Sequence, residues 1–133
     1  MITLAWVLFW LGFYAPEYQV DFEVRVASLP ANHAAESYYD NNKYVLIDLP
    51  KIVSLSGPGP WDKVVLAACA IAHESVHMHR RDSIELYAYQ ESVRCISTFQ
   101  EKVARTPWLD YAERYYRSLL VQEQANIGSA SNE

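Results

Sequence analysis

A chain of 133 residues, 51% hydrophobic and 20% charged, has the length of one domain and a globular balance, which excludes an intrinsically disordered protein. The net charge of -5, with no basic cluster beyond Arg80-Arg81, excludes a nucleic-acid binder, whose phosphate contacts need many clustered cations. Two cysteines, Cys69 and Cys95, are too few for a disulfide-scaffold fold and match no zinc-knuckle or redox spacing.

Residues 1–15, MITLAWVLFWLGFYA, are almost wholly apolar. They fall short of the roughly 20 residues that span a bilayer. They also lack the basic start and small-residue cleavage site of a secretory signal. The first expectation is a buried helix. Membrane contact through residues 1–15 as an interfacial anchor, or a degenerate signal segment, are the alternatives, so the segment is compatible with secretion or membrane association.

After Pro16 the period changes. Tyr18, Val20, Phe22, Val24 and Val26 alternate with Gln19, Asp21, Glu23 and Arg25, which predicts a half-buried strand. Pro30 to Asn42 reads as a polar connection, and KYVLIDLP, Lys43 to Pro50, as a second strand stopped by its proline. SGPGP at Ser56 to Pro60 is a break.

Everything downstream predicts helix. A first one runs from Trp61 to about Arg80, and its nine consecutive apolar residues, Val64 to Ala72, imply burial on every side. Asp82-Ser83 supplies an N-cap, with Glu85 in reach to close a capping box, for a second helix to about Ala104. Thr106-Pro107 starts a third, through about Gln124, in which Trp108, Tyr111, Tyr115 and Leu119 fall at helical spacing as packing residues. The expected class is α+β, two or three strands in a small antiparallel or mixed sheet on three or four helices. Residues 16–125 form one domain, and 126–133 are a frayed polar tail.

The chemistry concentrates in AIAHESVHMHRRDSIELYAYQES, Ala70 to Ser92. At 3.6 residues per turn His73 and His77 lie on one helical face, roughly 6 Å apart along the axis, so both imidazoles can reach one metal ion. Glu74 sits about 80° away, beside the ion, where a carboxylate takes a proton from metal-bound water. Because the apolar run implies burial, these ionisable groups require a partner or a metal.

Two residues compete to be the third ligand. Glu85 shares the inward stripe with Ala88, Tyr89, Ser92, Ile96, Phe99 and Val103, and the small Ala88 and Ser92 let the first helix approach. Glu91, about 120° away, is the alternative, since a hairpin turning near Asp82 places it opposite His73.

The segment resembles the zincin metallopeptidases, in particular the gluzincin branch, in which His-Glu-x-x-His supplies two ligands and a base and a Glu on the next helix supplies the third ligand. ELYAY resembles the branch's second motif, a Glu followed three residues later by a small residue. The resemblance implies zinc held by His73, His77 and Glu85, with Glu74 as general base. The implied activity is hydrolysis of a peptide bond in a protein or peptide substrate by zinc-bound water, assisted by a Tyr or His oxyanion donor that the sequence does not single out. KYVLIDLP resembles, more loosely, the edge strand that lies before a zincin site helix and carries the substrate. Three features depart from the branch. The His77 to Glu85 interval is short and demands a tight helical hairpin. Tyr89 stands where an Asp usually orients a ligand histidine, so Glu91 or a backbone carbonyl must substitute. The downstream domain of larger members is absent, which makes this a minimal single-domain form.

Among other residues, His79 points away from the ligand face and reads as surface, and His33 as a solvated loop histidine. Cys69 and Cys95 lie thirteen residues either side of Asp82, so a hairpin brings them together, with two buried thiols expected and a disulfide the alternative. Two other functions stay open at this point. One is a non-catalytic zinc-binding interaction module derived from a zincin. The other is a small membrane-associated helical protein in which residues 1–15 do the work.

Overall fold

The computed structural model describes residues 2–16, 22–40 and 43–131. The chain is α+β, with a three-stranded mixed sheet and five helices among the described residues. In chain order these are α1 (Leu4–Tyr14), β1 (Glu23–Val26), β2 (Ala35–Tyr38), β3 (Tyr44–Ile47), α2 (Leu49–Leu55), α3 (Pro60–Arg80), α4 (Glu85–Lys102) and α5 (Pro107–Ser131). Strand order is β1-β3-β2, with β3 parallel to β1 and antiparallel to β2.

Helix α1 starts where the Thr3 hydroxyl accepts from the Trp6 amide, and Val7, Leu11 and Ala15 form its buried stripe. The expected buried helix is thus buried on one face only. Trp6, Phe9 and Phe13 are exposed on the other, Phe9 at 66%. Trp10 packs edge-on against Trp61 of α3 at 4.9 Å, which draws α1 into the core. Among the described residues no helix is long and apolar enough to cross a membrane.

The predicted alternation holds for Phe22, which is buried, and Val24, which is half-buried, whereas Val26 is exposed. Tyr18, Val20, Gln19 and Asp21 lie outside the described residues. Strand β2 falls inside the stretch expected to be a polar connection, and AESY carries no apolar alternation to announce it. It is a strand because β3 offers a backbone edge, and pairing from Ala35↔Ile47 to Tyr38↔Tyr44 satisfies both. KYVLIDLP therefore supplies the central strand β3, with Val45 and Ile47 fully buried, and not the edge strand expected from the resemblance. Pro50 starts a helix where a simple stop was expected. The Asp48 side chain accepts from the Lys51 amide at 3.2 Å, and Pro50 occupies the first turn of α2, where it forfeits no hydrogen bond.

Helix α3 is the spine, touching α1, α2, α4, β2 and β3. Of its apolar run only Leu66 and Ala70 are half-exposed. Its start is fastened to that of α5, because the buried Asp62 carboxylate accepts from the Gly59 amide at 3.0 Å and from the Thr106 hydroxyl, which itself caps Leu109. The buried stripe of α5 is Leu109 and Ala112, with Tyr116 half-buried, while Tyr111 and Tyr115 are half or more exposed, so the packing face is rotated from the one expected. The helix continues past Gln124 to Ser131.

At Gly57 in the SGPGP break, a Cβ would stand 2.7 Å from Cβ of Trp108 and 2.6 Å from the Asp62 carboxylate. Gly57→Ala is therefore expected to destabilise the chain by about 1–3 kcal/mol, as overpacking does. A urea midpoint equal to wild type would show that Trp108 moves aside freely.

Candidate metal centre

Helix α3 ends at Arg81, whose left-handed backbone (φ 57°) lets its amide return to the His77 carbonyl at 2.8 Å. This reversal is the tight hairpin that the short His77 to Glu85 interval demands. Asp82 does not cap α4 in a box with Glu85, as the sequence suggested. Its carboxylate accepts from the Ile84 amide and from Arg80, and Ile84 is the N-cap residue. Glu85, at the first position of α4, is left to face α3.

There its carboxylate meets both histidines. Glu85 Oε1 is 2.6 Å from His77 Nε2, and Oε2 is 3.5 Å from His73 Nε2. The two rings are 5.2 Å apart. One donor atom from each of the three residues lies within 4.8 Å of the others. A tetrahedral ion with bonds of about 2.0–2.2 Å sets its ligand atoms roughly 3.4 Å apart, so small side-chain rotations close the site. Two imidazole nitrogens and one carboxylate oxygen form a set suited to zinc.

The hydrogen bonds around the rings fix their tautomers. His77 Nδ1 is 3.0 Å from the Asp82 carbonyl, which only accepts, so Nδ1 carries the proton. His73 Nδ1 is 3.0 Å from the Ser92 hydroxyl, and that hydroxyl donates to the Ala88 carbonyl at 3.1 Å, so it accepts from His73. Both rings therefore turn Nε2 towards Glu85, the arrangement a metal ligand needs. The carbonyl of Asp82 and the hydroxyl of Ser92 do the orienting work that an Asp at position 89 would otherwise do. Ser92→Ala is expected to weaken metal binding about 10–100-fold while leaving the fold intact, measured by competition with a chromophoric chelator. Unchanged affinity would mean that packing alone orients His73.

Without an ion, the site holds protons. Burial disfavours the His77 cation, but the hydrogen bond it donates to Glu85 and the charges of Glu74 and Glu85 outweigh it, and its pKa is raised. Burial alone would also raise the pKa of Glu85, yet hydrogen bonds and charge from His73 and His77 hold its carboxyl far below the usual range. Tyr89, over His73 at 5.2 Å, is pushed up by burial and by the Glu85 carboxylate it hydrogen-bonds.

Glu74 is buried beside the pair, and burial raises its pKa against the opposing pull of His73, His77 and a hydrogen bond from Ser37 of β2. A cavity of about 330 Å³ opens onto these groups, lined by His73, Glu74, Glu85 and Tyr89 and walled by Leu66 and Tyr116.

The structure thus brings His73, Glu74, His77 and Glu85 together. Ala88 and Ser92, both buried, allow the close approach of α3 and α4. Glu91 is elsewhere, with its buried carboxylate accepting from the Tyr14 hydroxyl of α1 and pairing with Arg94 at 2.9 Å. His79 is exposed. His33 is also half-exposed, but it lines the cavity with Nδ1 3.0 Å from Glu36. Sequence reasoning missed Ser37, because its strand was missed, and missed the orienting part played by Ser92; of the two substitutes it allowed, Glu91 or a backbone carbonyl, the Asp82 carbonyl is the one at His77. The two cysteines, expected as thiols, are joined in a Cys69–Cys95 disulfide linking α3 to α4. In comparisons with known proteins, no family model, curated protein or solved structure matches the chain.

Proposed function

We propose that this chain is a zinc-dependent peptidase of zincin type, with His73, His77 and Glu85 as ligands and Glu74 as general base. The observation that carries the reading is a single carboxylate between two imidazoles, each with an acceptor behind its Nδ1 that turns Nε2 towards the carboxylate. A divalent ion in this set supplies Lewis-acid chemistry, polarising a carbonyl and making water acidic near neutral pH.

The protein does the rest. Glu74, buried and of raised pKa, accepts the proton of the attacking water and delivers it to the departing amine. Ser37 holds that carboxylate from the β2 side. Edge strand β2, whose Ala35 lines the cavity, offers a backbone for an extended peptide.

The test is metal content by mass spectrometry together with hydrolysis of a mixed peptide library. The expected result is one zinc per chain and cleavage lost to a chelator and restored by zinc. Loading has a defined pH sign. The His77 pKa is raised, so its proton competes with the ion below that raised value, and affinity falls about tenfold per pH unit there. A chain that takes up no zinc at about pH 8, where that competition is weakest, overturns the reading.

A further inference from the structure

The Cys69–Cys95 disulfide closes a loop of chain with a sequence separation of 26. Within that loop lie all three candidate ligands, Glu74, the reversal at Arg81 and both orienting groups, Asp82 and Ser92. The bond's two ends sit close to the metal centre. Cys69 precedes His73 by one turn of α3, and the two line the same cavity. On α4, Cys95 follows by three residues Ser92, the residue that holds His73. The bond keeps the two helices at a Cα–Cα distance of 5.6 Å beside the His73–Ser92 contact.

Two metal ligands come from one helix and the third from the other, so affinity depends on how well α3 and α4 are held in register before the ion arrives. A covalent cross-link reduces the freedom of the metal-free site, and a preorganised site binds more tightly. We propose that the Cys69–Cys95 disulfide is a redox-dependent positioning element of the metal centre, so that the oxidised chain holds zinc about 10–100-fold more tightly than the reduced one. The inference rests on the metal site proposed above. It makes zinc loading more favourable in an oxidising compartment than in a reducing one.

Reduction breaks the S–S bond and adds two electrons and two protons, one of each per sulfur, supplied by a dithiol that becomes a disulfide itself. Cys95 is fully buried and Cys69 nearly so, and the cavity is the opening onto Cys69. By linkage, bound zinc must oppose reduction by the same factor by which oxidation favours zinc.

The experiment uses the full chain in three forms: oxidised, reduced with a phosphine that is then removed under anaerobic conditions, and the C69S/C95S double variant. Zinc affinity is measured by chelator competition well below melting, with folding checked by circular dichroism. Affinity is expected to fall about 10–100-fold in the reduced and variant forms. In wild type the concentration of free, zinc-uncomplexed dithiol needed for half reduction is expected to rise when a chelator buffer fixes free zinc at a saturating level, a readout that stands even where the variant fails to fold. A merely structural disulfide lowers Tm but leaves zinc affinity and the reduction midpoint uncoupled, and that result overturns the inference. Tighter binding by the reduced wild type alone also overturns it, because Cys69 would then be acting as a thiolate ligand. No zinc binding by the oxidised chain removes the metal centre altogether, a failure distinct from zinc bound equally in all three forms.

Discussion

Glu74→Gln is expected to lower peptide hydrolysis by about 10²–10⁴-fold while leaving one zinc per chain. The amide keeps the shape of the side chain and can still accept the Ser37 hydrogen bond, but it cannot take up a proton. The same change is expected to raise the melting temperature of the metal-free protein at neutral pH. Glu74 is buried, and its folded pKa lies above the unfolded value near 4.5. Between those two values the folded chain binds more protons than the unfolded chain, so stability falls as pH rises through the window. Above it the cost of burying the charge is fully present, and glutamine removes it. The two proteins should therefore melt apart at neutral pH and converge towards about pH 4, where the carboxyl is protonated in both states. Scanning calorimetry across that range, beside a peptide assay, measures both effects. A variant that still cleaves peptides would assign the base elsewhere and leave a non-catalytic zinc module as the function of this site. Lower stability at neutral pH would mean that the carboxylate is better paired than its burial implies.

The two glutamates of α4 should separate cleanly. Glu85→Ala removes the carboxylate that stands 2.6 Å from one imidazole and 3.5 Å from the other, so zinc affinity should fall by at least about 100-fold, beyond what loss of an orienting group costs. Glu91→Ala should leave zinc affinity unchanged and destabilise the fold by about 1–3 kcal/mol, because it removes the carboxylate to which the Tyr14 hydroxyl donates, a bond that ties α1 to α4. Zinc competition and urea titration on both variants give a two-by-two comparison. Loss of zinc in Glu91→Ala with retention in Glu85→Ala would invert the assignment and require a different packing of α3 on α4.

The clustering of the candidate site residues was legible because its logic is local. His73, Glu74 and His77 occupy one helix, and helical geometry places their side chains without knowledge of any other element. The inward stripe of α4 picked out Glu85 over Glu91 for the same reason. The bounds of α3 were readable too, since a long apolar run ended by SGPGP on one side and charged residues on the other leaves few alternatives.

What was not legible depended on contacts distant in sequence. AESY has no strand pattern of its own, and it pairs because β3 leaves an edge open. With β2 went Ser37, the group that holds Glu74 from the sheet side. Pro50 looked like a stop and became the first turn of α2, since a proline ends a strand and begins a helix with equal ease. The start of α5 is tied to α3 by the Asp62–Thr106 bond, which spans 44 positions of sequence, and the face that packs carries Leu109 and Ala112.

Composition, charge and helical period are properties of short windows, and they were enough to establish an α+β chain with two histidines on one helical face and a glutamate beside them. The rest belongs to three dimensions. Whether Glu85 closes a capping box or meets two imidazoles, whether the cysteines are thiols or a cross-link, and which groups orient His73 and His77 all follow from how α4 folds back at Arg81 onto α3. That reversal needs a non-glycine residue in a left-handed conformation, which no pattern in the sequence announces and only the packing of the two helices supports.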